Sequence, residues 1–188
     1  MSDPGGPLGG LTALVLTVSD RSAAGERDDA SGEEVGTRLE GLGLVVTREV
    51  VPDEEALIAE ALVAGAARHR LVITTGGTGL TPRDVTPQAT SSVLDYAVPG
   101  LAEAMRAEGR RHTPMADLSR GVVGVRGRSL LVNLPGSPKG AIESLDAIVA
   151  VLPHALETLA GPFDHQARIG RADLLVGDLD QVAGRRPD

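Results

Sequence analysis

A chain of 188 residues with 41% hydrophobic content is long enough for one α/β domain with a real core. Aromatics make up only 1%, so Val, Leu, Ile and Ala must build that core. A net charge of −8 excludes generic nucleic-acid binding, and the absence of cysteine excludes disulfides, thiolate metal sites and cysteine nucleophiles.

The opening "MSDPGGPLGG" (1–10) reads as a flexible leader. It has no basic n-region and no apolar h-region, so no secretory signal is expected. No apolar run reaches membrane-spanning length. A soluble cytoplasmic protein with no membrane partner is the expectation.

"LTALVLTV" (11–18) is a continuous apolar run that predicts a buried strand. In "DDASGEEVGTRLEGLG", Val35, Leu39 and Leu42 recur at helical spacing, and Gly43 ends the helix. "LVVTREVV" (44–51) predicts a second strand. "PDEEALIAEALVAGAARH" (52–69) predicts an amphipathic helix with acidic residues in its first turn. "RLVITT" (70–75) predicts a third strand. Thr86 is expected to cap a helix with Pro87 at its first position. A further helix is expected over 98–111, then two short strands or a hairpin within 121–136, turning near Arg126–Gly127. Ser137 and Pro138 repeat the cap-plus-proline device before a long apolar helix that Pro153 should kink or break. Residues 164–188 are polar and glycine-bearing. The expected organisation is a leader (1–10), a domain (11–161) and a weakly ordered tail (162–188).

Apolar strands alternating with helices predict an α/β fold: a three-layer α/β/α sandwich with a mostly parallel sheet. In such sheets ligands bind beyond the carboxyl ends of the strands. The first strand delivers Ser19, Asp20 and Arg21 to that edge. The second delivers Asp53. The third delivers Thr75, Gly76, Gly77, Thr78, Gly79, Arg83 and Asp84. The last delivers Asn133, Pro135, Gly136, Ser137 and Lys139, which alone among 18 basic residues is a lysine. Carboxylates, cations and glycine loops on one rim suit a polyphosphate with a divalent cation. Each residue also has a plainer reading. Asp53 could be an N-cap, Asp84 a turn residue, Ser137 a helix cap, and Ser19–Asp20–Arg21 a solvated turn. The loop is neither a Walker A motif nor a Gly-x-Gly-x-x-Gly fingerprint.

"TTGGTGLTPRDVTPQAT" and "NLPGSPKGAIESL", with "SDR" and "VPDE" after the first two strands, resemble the molybdopterin adenylyltransferase family (MogA/MoaB) from about Leu11 to Gly161. The resemblance implies transfer of AMP from ATP to the terminal phosphate of molybdopterin, with Mg²⁺, in a homotrimer. It implies the pathway's molybdenum-insertion enzyme as a further partner. It gives Asp53 and Asp84 to metal binding and catalysis. Ser19, Asp20, Arg21, Thr75, Gly76, Gly77, Thr78, Gly79 and Arg83 go to nucleotide phosphates. Asn133, Pro135, Gly136, Ser137 and Lys139 go to the pterin. Ser137 stands where related sequences often carry Asn or Gln. A non-catalytic molybdopterin carrier of the same fold is the alternative.

Overall fold

Strand β1 (Thr12–Val18) is buried at every position but its first, as its apolar run requires. The structure, a computed structural model, describes residues 8–161. The expected tail, 162–188, lies outside the described residues. Of the expected leader, 1–10, residues 8–10 are described: Leu8 is buried, and the N–H groups of Leu8 and Gly10 donate to the carbonyls of Leu42 and Gly43.

After β1 come a short helix α1 (Asp20–Ala23), α2 (Ala30–Glu40), β2 (Val45–Val51), α3 (Glu55–Arg68) and β3 (Leu71–Thr75). Then follow α4 (Thr86–Val93), a two-residue strand β4 (Tyr96–Ala97), α5 (Pro99–His112) and a 3₁₀ turn (Pro114–Leu118). The described chain closes with β5 (Val123–Arg126), β6 (Ser129–Leu134), α6 (Pro138–Val149) and α7 (Leu152–Ala160). The expected long final helix is thus broken ahead of Pro153, which sits in the first turn of α7.

The sheet has six strands in the order β2-β1-β3-β6-β5-β4. The first four are mutually parallel, and β5 and β4 form an antiparallel margin. The β5–β6 hairpin turns at Gly127, whose φ of +58° suits a residue without Cβ. Strand residues alternate between two cores, as the two-residue period demands. Val15, Ile73 and Val132 pack with Val35 and Leu39 of α2 and Leu145 and Ile148 of α6. Leu14, Leu16, Val72 and Leu131 pack with Ile58 and Leu62 of α3 and Ala89 of α4. Helices therefore cover both faces, giving three layers. β2 is an edge strand, and Val45 and Val50 remain exposed.

Candidate functional site

The chain leaves β1 towards β2 on one side, and leaves β3 towards β6 on the other. Such a reversal opens a crevice at the carboxyl ends of two adjacent parallel strands. Ser19 follows β1 there and Gly76 follows β3. The register Thr17–Thr75 and Thr75–Leu134 brings the β1, β3 and β6 ends level.

Gly76 and Gly77 take φ of +94° and +62°. A Cβ at Gly76 would collide with the Val18 carbonyl oxygen, and one at Gly77 with Thr86 Oγ1. Glycine is required by sterics as well as by φ. The loop's polar groups are sorted. Gly76 O accepts from Thr86 Oγ1 (3.0 Å) and Gly77 O from the Thr86 N–H (3.1 Å). Thr78 O accepts from the Arg120 N–H (3.0 Å) and Gly79 O from Arg120 Nε (2.8 Å). Every carbonyl from Gly76 to Gly79 is thus occupied. The N–H groups of Gly77, Thr78 and Gly79 donate to no acceptor among the described residues. Thr78 is nevertheless buried. Unpaired consecutive N–H groups at a strand end form an anion-binding concavity.

Beside this cradle lies an acidic cluster. The Asp20 N–H donates to Asp53 Oδ2 (2.8 Å), and the Asp53 N–H donates to Asp20 Oδ1 (2.9 Å). Arg83 Nη2 donates to both Asp20 oxygens at 2.7 Å and Nε to one of them at 3.1 Å. Arg83 therefore holds the Asp20 carboxyl below its usual range. Burial pushes the Asp53 carboxyl upwards, the Asp20 N–H bond opposes that, and the Asp20 and Asp84 charges add to it. Asp84 Oδ2 accepts from the Thr81 N–H at 2.7 Å and would stand 3.0 Å from a Cβ on Gly79. Asp53 Oδ1 would stand 3.3 Å from a Cβ on Gly77. Both carboxylates thus flank the loop, and each keeps an oxygen with no protein partner among the described residues.

These contacts decide between the readings of several residues. Asp53 does not cap α3, whose N-cap is Glu54 with no side-chain bond. Asp84 is a turn residue and a loop neighbour at once. Thr86 is not the cap of α4. Val85 precedes the helix, and the Thr86 hydroxyl instead ties down Gly76. Ser19 caps α1 by accepting from the Ser22 N–H, and Ser137 caps α6 by accepting from the Gly140 N–H. Arg21 is exposed in α1. The Thr75 hydroxyl is buried between Thr17 and Ser31.

The loop after β6 meets the cradle: a Cβ on Gly136 would lie 3.1 Å from Gly76 Cα. Asn133 is buried beside it, in the lining of the larger crevice described below. Its amide donates to Thr74 and Thr90 hydroxyls (3.0 and 2.9 Å), and its oxygen accepts from the Val122 N–H. Lys139 follows in the first turn of α6. Its side chain is 82% exposed, and its ammonium lies 3.7 Å from Glu143 rather than in the acidic cluster. Among the described residues no group of three or more His, Asp or Glu is arranged to hold a metal.

Two crevices open off the cradle. One, of about 280 Å³, is lined by Thr78, Gly79, Met105, Met115, Pro135 and Ser137, and is mostly apolar. The other, of about 110 Å³, is lined by polar groups including Ser19, Arg27, Asp29 and Gly76. Arg120 and Asp29 were not foreseen. Asp29 caps α2 and accepts from Thr17 Oγ1, and only its place before a helical period could have flagged it.

The family model described as "Probable molybdopterin binding domain" matches residues 14–154. The chain belongs to that family. Within it, the MogA/MoaB proteins are the relatives. A Helicobacter pylori (strain J99) protein named molybdopterin adenylyltransferase is 38% identical over 154 residues, covering 79% of this chain and 88% of its own. The Escherichia coli K12 protein of that name is 35% identical over 166 residues, covering 79% and 85%. The solved molybdopterin biosynthesis enzyme MoaB of Thermus thermophilus shares 52% identity and a TM-score of 0.76, covering 82% of this chain and 99% of that one. This MogA/MoaB chain therefore has the fold expected of it, and no described helix is long and apolar enough to cross a membrane.

Proposed function

We propose that this chain adenylylates molybdopterin, moving AMP from ATP to the terminal phosphate of the pterin. One observation carries the reading: three loop N–H groups with no acceptor among the described residues stand beside Asp53 and Asp84 at the sheet edge, in a chain with relatives named molybdopterin adenylyltransferase. A pterin phosphate oxygen bonds to the α-phosphorus, the bond to the bridging oxygen breaks, and pyrophosphate leaves. Such a transfer needs alignment and preorganised charge more than covalent chemistry from the protein. The cradle N–H groups hold nucleotide phosphate. Ser19, Asp20, Arg21, Thr75 and Arg83 shape its walls.

The larger, apolar crevice suits a flat ring, with Pro135, Gly136 and Ser137 at the pterin and its phosphate. Asn133 belongs to that wall and ties it to Thr74 and Thr90. Lys139 reaches the phosphate only by leaving Glu143.

Mg²⁺ is commonly held by one or two carboxylates together with substrate phosphates. Asp53 and Asp84, each with a spare oxygen beside the cradle, fit that ligand set. Mg²⁺ held there would neutralise charge on the phosphate chain.

The proposal includes a homotrimer, a cytoplasmic location, which the cysteine-free composition suits, and the molybdenum-insertion enzyme as a partner. The carrier alternative is not favoured, since the curated relatives are named for the transfer. The test is pyrophosphate release from ATP and molybdopterin. Turnover by wild type, lost in Asp84→Asn, supports the reading. Tight pterin binding with no ATP affinity and no turnover would favour the carrier.

A further inference from the structure

Glycines leave a loop soft, so something outside it must set its shape. Arg120, just before β5, reaches the loop through four bonds. Its N–H donates to Thr78 O (3.0 Å) and its Nε to Gly79 O (2.8 Å). Its Nη2 donates to Asp84 O, and its Nη1 to Gln88 Oε1 at 3.3 Å. The first bond is a main-chain one; the planar guanidinium makes the other three, and joins Gly79, Asp84 and the first turn of α4. Ser119 and Gly121 line the apolar crevice and Arg120 does not, so its charge faces the loop rather than the ligand space.

The consequence is directional. A carbonyl turned towards Arg120 turns the next N–H away from it. Gly76 O and Gly77 O, held by Thr86, turn the Gly77 and Thr78 N–H groups the other way, and Thr78 O, held by the Arg120 main-chain N–H, does so for Gly79; the guanidinium, through Gly79 O, sets the Gly79–Leu80 peptide that follows. The bond to Asp84 O fixes the backbone that carries the Asp84 carboxylate.

We propose that Arg120 is a positioning residue for adenylyl transfer: its guanidinium ties Gly79 O, Asp84 O and Gln88 together, so that the end of the N–H cradle and the Asp84 carboxylate are preset for the nucleotide phosphates. The inference rests on the adenylyltransferase reading for its kinetic consequence, and on geometry alone for the loop. Lysine is a poor substitute, because a point donor cannot bridge Gly79, Asp84 and Gln88 together.

The experiment compares wild type, Arg120→Ala and Arg120→Lys in two measurements. The first is amide hydrogen exchange at Thr81 and Asp84, the hydrogen-bonded amides of the loop, with β3 amides as the internal control for folding. The second is steady-state pyrophosphate release with ATP and molybdopterin varied separately. In Arg120→Ala, loop exchange rises at least tenfold while β3 exchange is unchanged. Its kcat falls ~100-fold, as expected for catalytic groups displaced by about 1 Å, and KM for molybdopterin stays within about twofold. Arg120→Lys recovers only part of kcat. Unchanged loop exchange in Arg120→Ala overturns the proposal. So does a proportional fall in kcat with accelerated β3 exchange in both variants, which marks a general folding role. A wild-type chain with no turnover sinks the adenylyltransferase reading, and loop exchange still decides for or against Arg120.

Discussion

Asp20 and Asp53 each accept the other's backbone N–H, at 2.8 and 2.9 Å, and so lock the ends of β1 and β2 together. The lock fixes the roles of the two carboxylates. Asp20 is committed to Arg83 and the Asp53 N–H. Asp53 keeps Oδ1 beside Gly77 and is harder to ionise.

Asp84→Asn separates charge from structure. Asparagine keeps an acceptor for the Thr81 N–H, so the turn survives. Adenylyl transfer drops by roughly 100-fold or more, as for loss of a preorganised group at developing charge. Thermal stability stays within about 1 kcal/mol. Pyrophosphate-release kinetics with a melting curve check both arms.

The pH profile carries the sign of the Asp53 shift. Its carboxyl is raised above 3.8, so it takes a proton at higher pH than an ordinary aspartate. If the ionised form works, the acid limb of kcat/KM lies above pH 3.8. Asp20→Asn keeps the Oδ1 acceptor for the Asp53 N–H, deletes a repelling charge and frees Arg83. The last two effects lower the Asp53 pKa, so the acid limb moves to lower pH. A limb that stays put, or moves up, contradicts the assignment.

Two glycine substitutions should have opposite signs. Gly76→Ala meets a positive φ and the Val18 carbonyl, and costs about 2–3 kcal/mol. Gly100→Ala, in the exposed first turn of α5 with nothing within 4 Å, gains about 0.5 kcal/mol. Urea unfolding of the two variants reads both.

Asn133→Ala tests whether that residue is a ligand or a support. Its removal strands Thr74, Thr90 and Val122 groups inside the core, at a cost of about 2–3 kcal/mol. A large fall in pterin affinity with unchanged unfolding free energy would make it a direct ligand.

The strands were legible because a buried strand writes a continuous apolar run. "LTALVLTV" and "RLVITT" became β1 and β3 almost residue for residue. Tyr96–Ala97 and Asp20–Ala23 were illegible, since elements of two and four residues carry no period. The rim was readable because strand ends and glycine are local signals, so Asp53 and Asp84 were placed with Gly76–Gly79. Which carbonyl each donor reaches was not. Arg120 lies more than thirty residues beyond the loop it holds, and no spacing announces that contact. Nor was the direction of Lys139 legible: Glu143, one turn on, competes for its charge. Thr86 has the sequence of a cap, but Gly76 O lies within its reach.

The most direct test is a crystal structure with Mg²⁺ and a non-hydrolysable α,β-methylene analogue of ATP. The account predicts phosphate oxygens within about 3 Å of the Gly77, Thr78 and Gly79 N–H groups, with the ion on Asp53 and Asp84. Phosphates bound elsewhere on the rim, with those three N–H groups still unpaired, would contradict it.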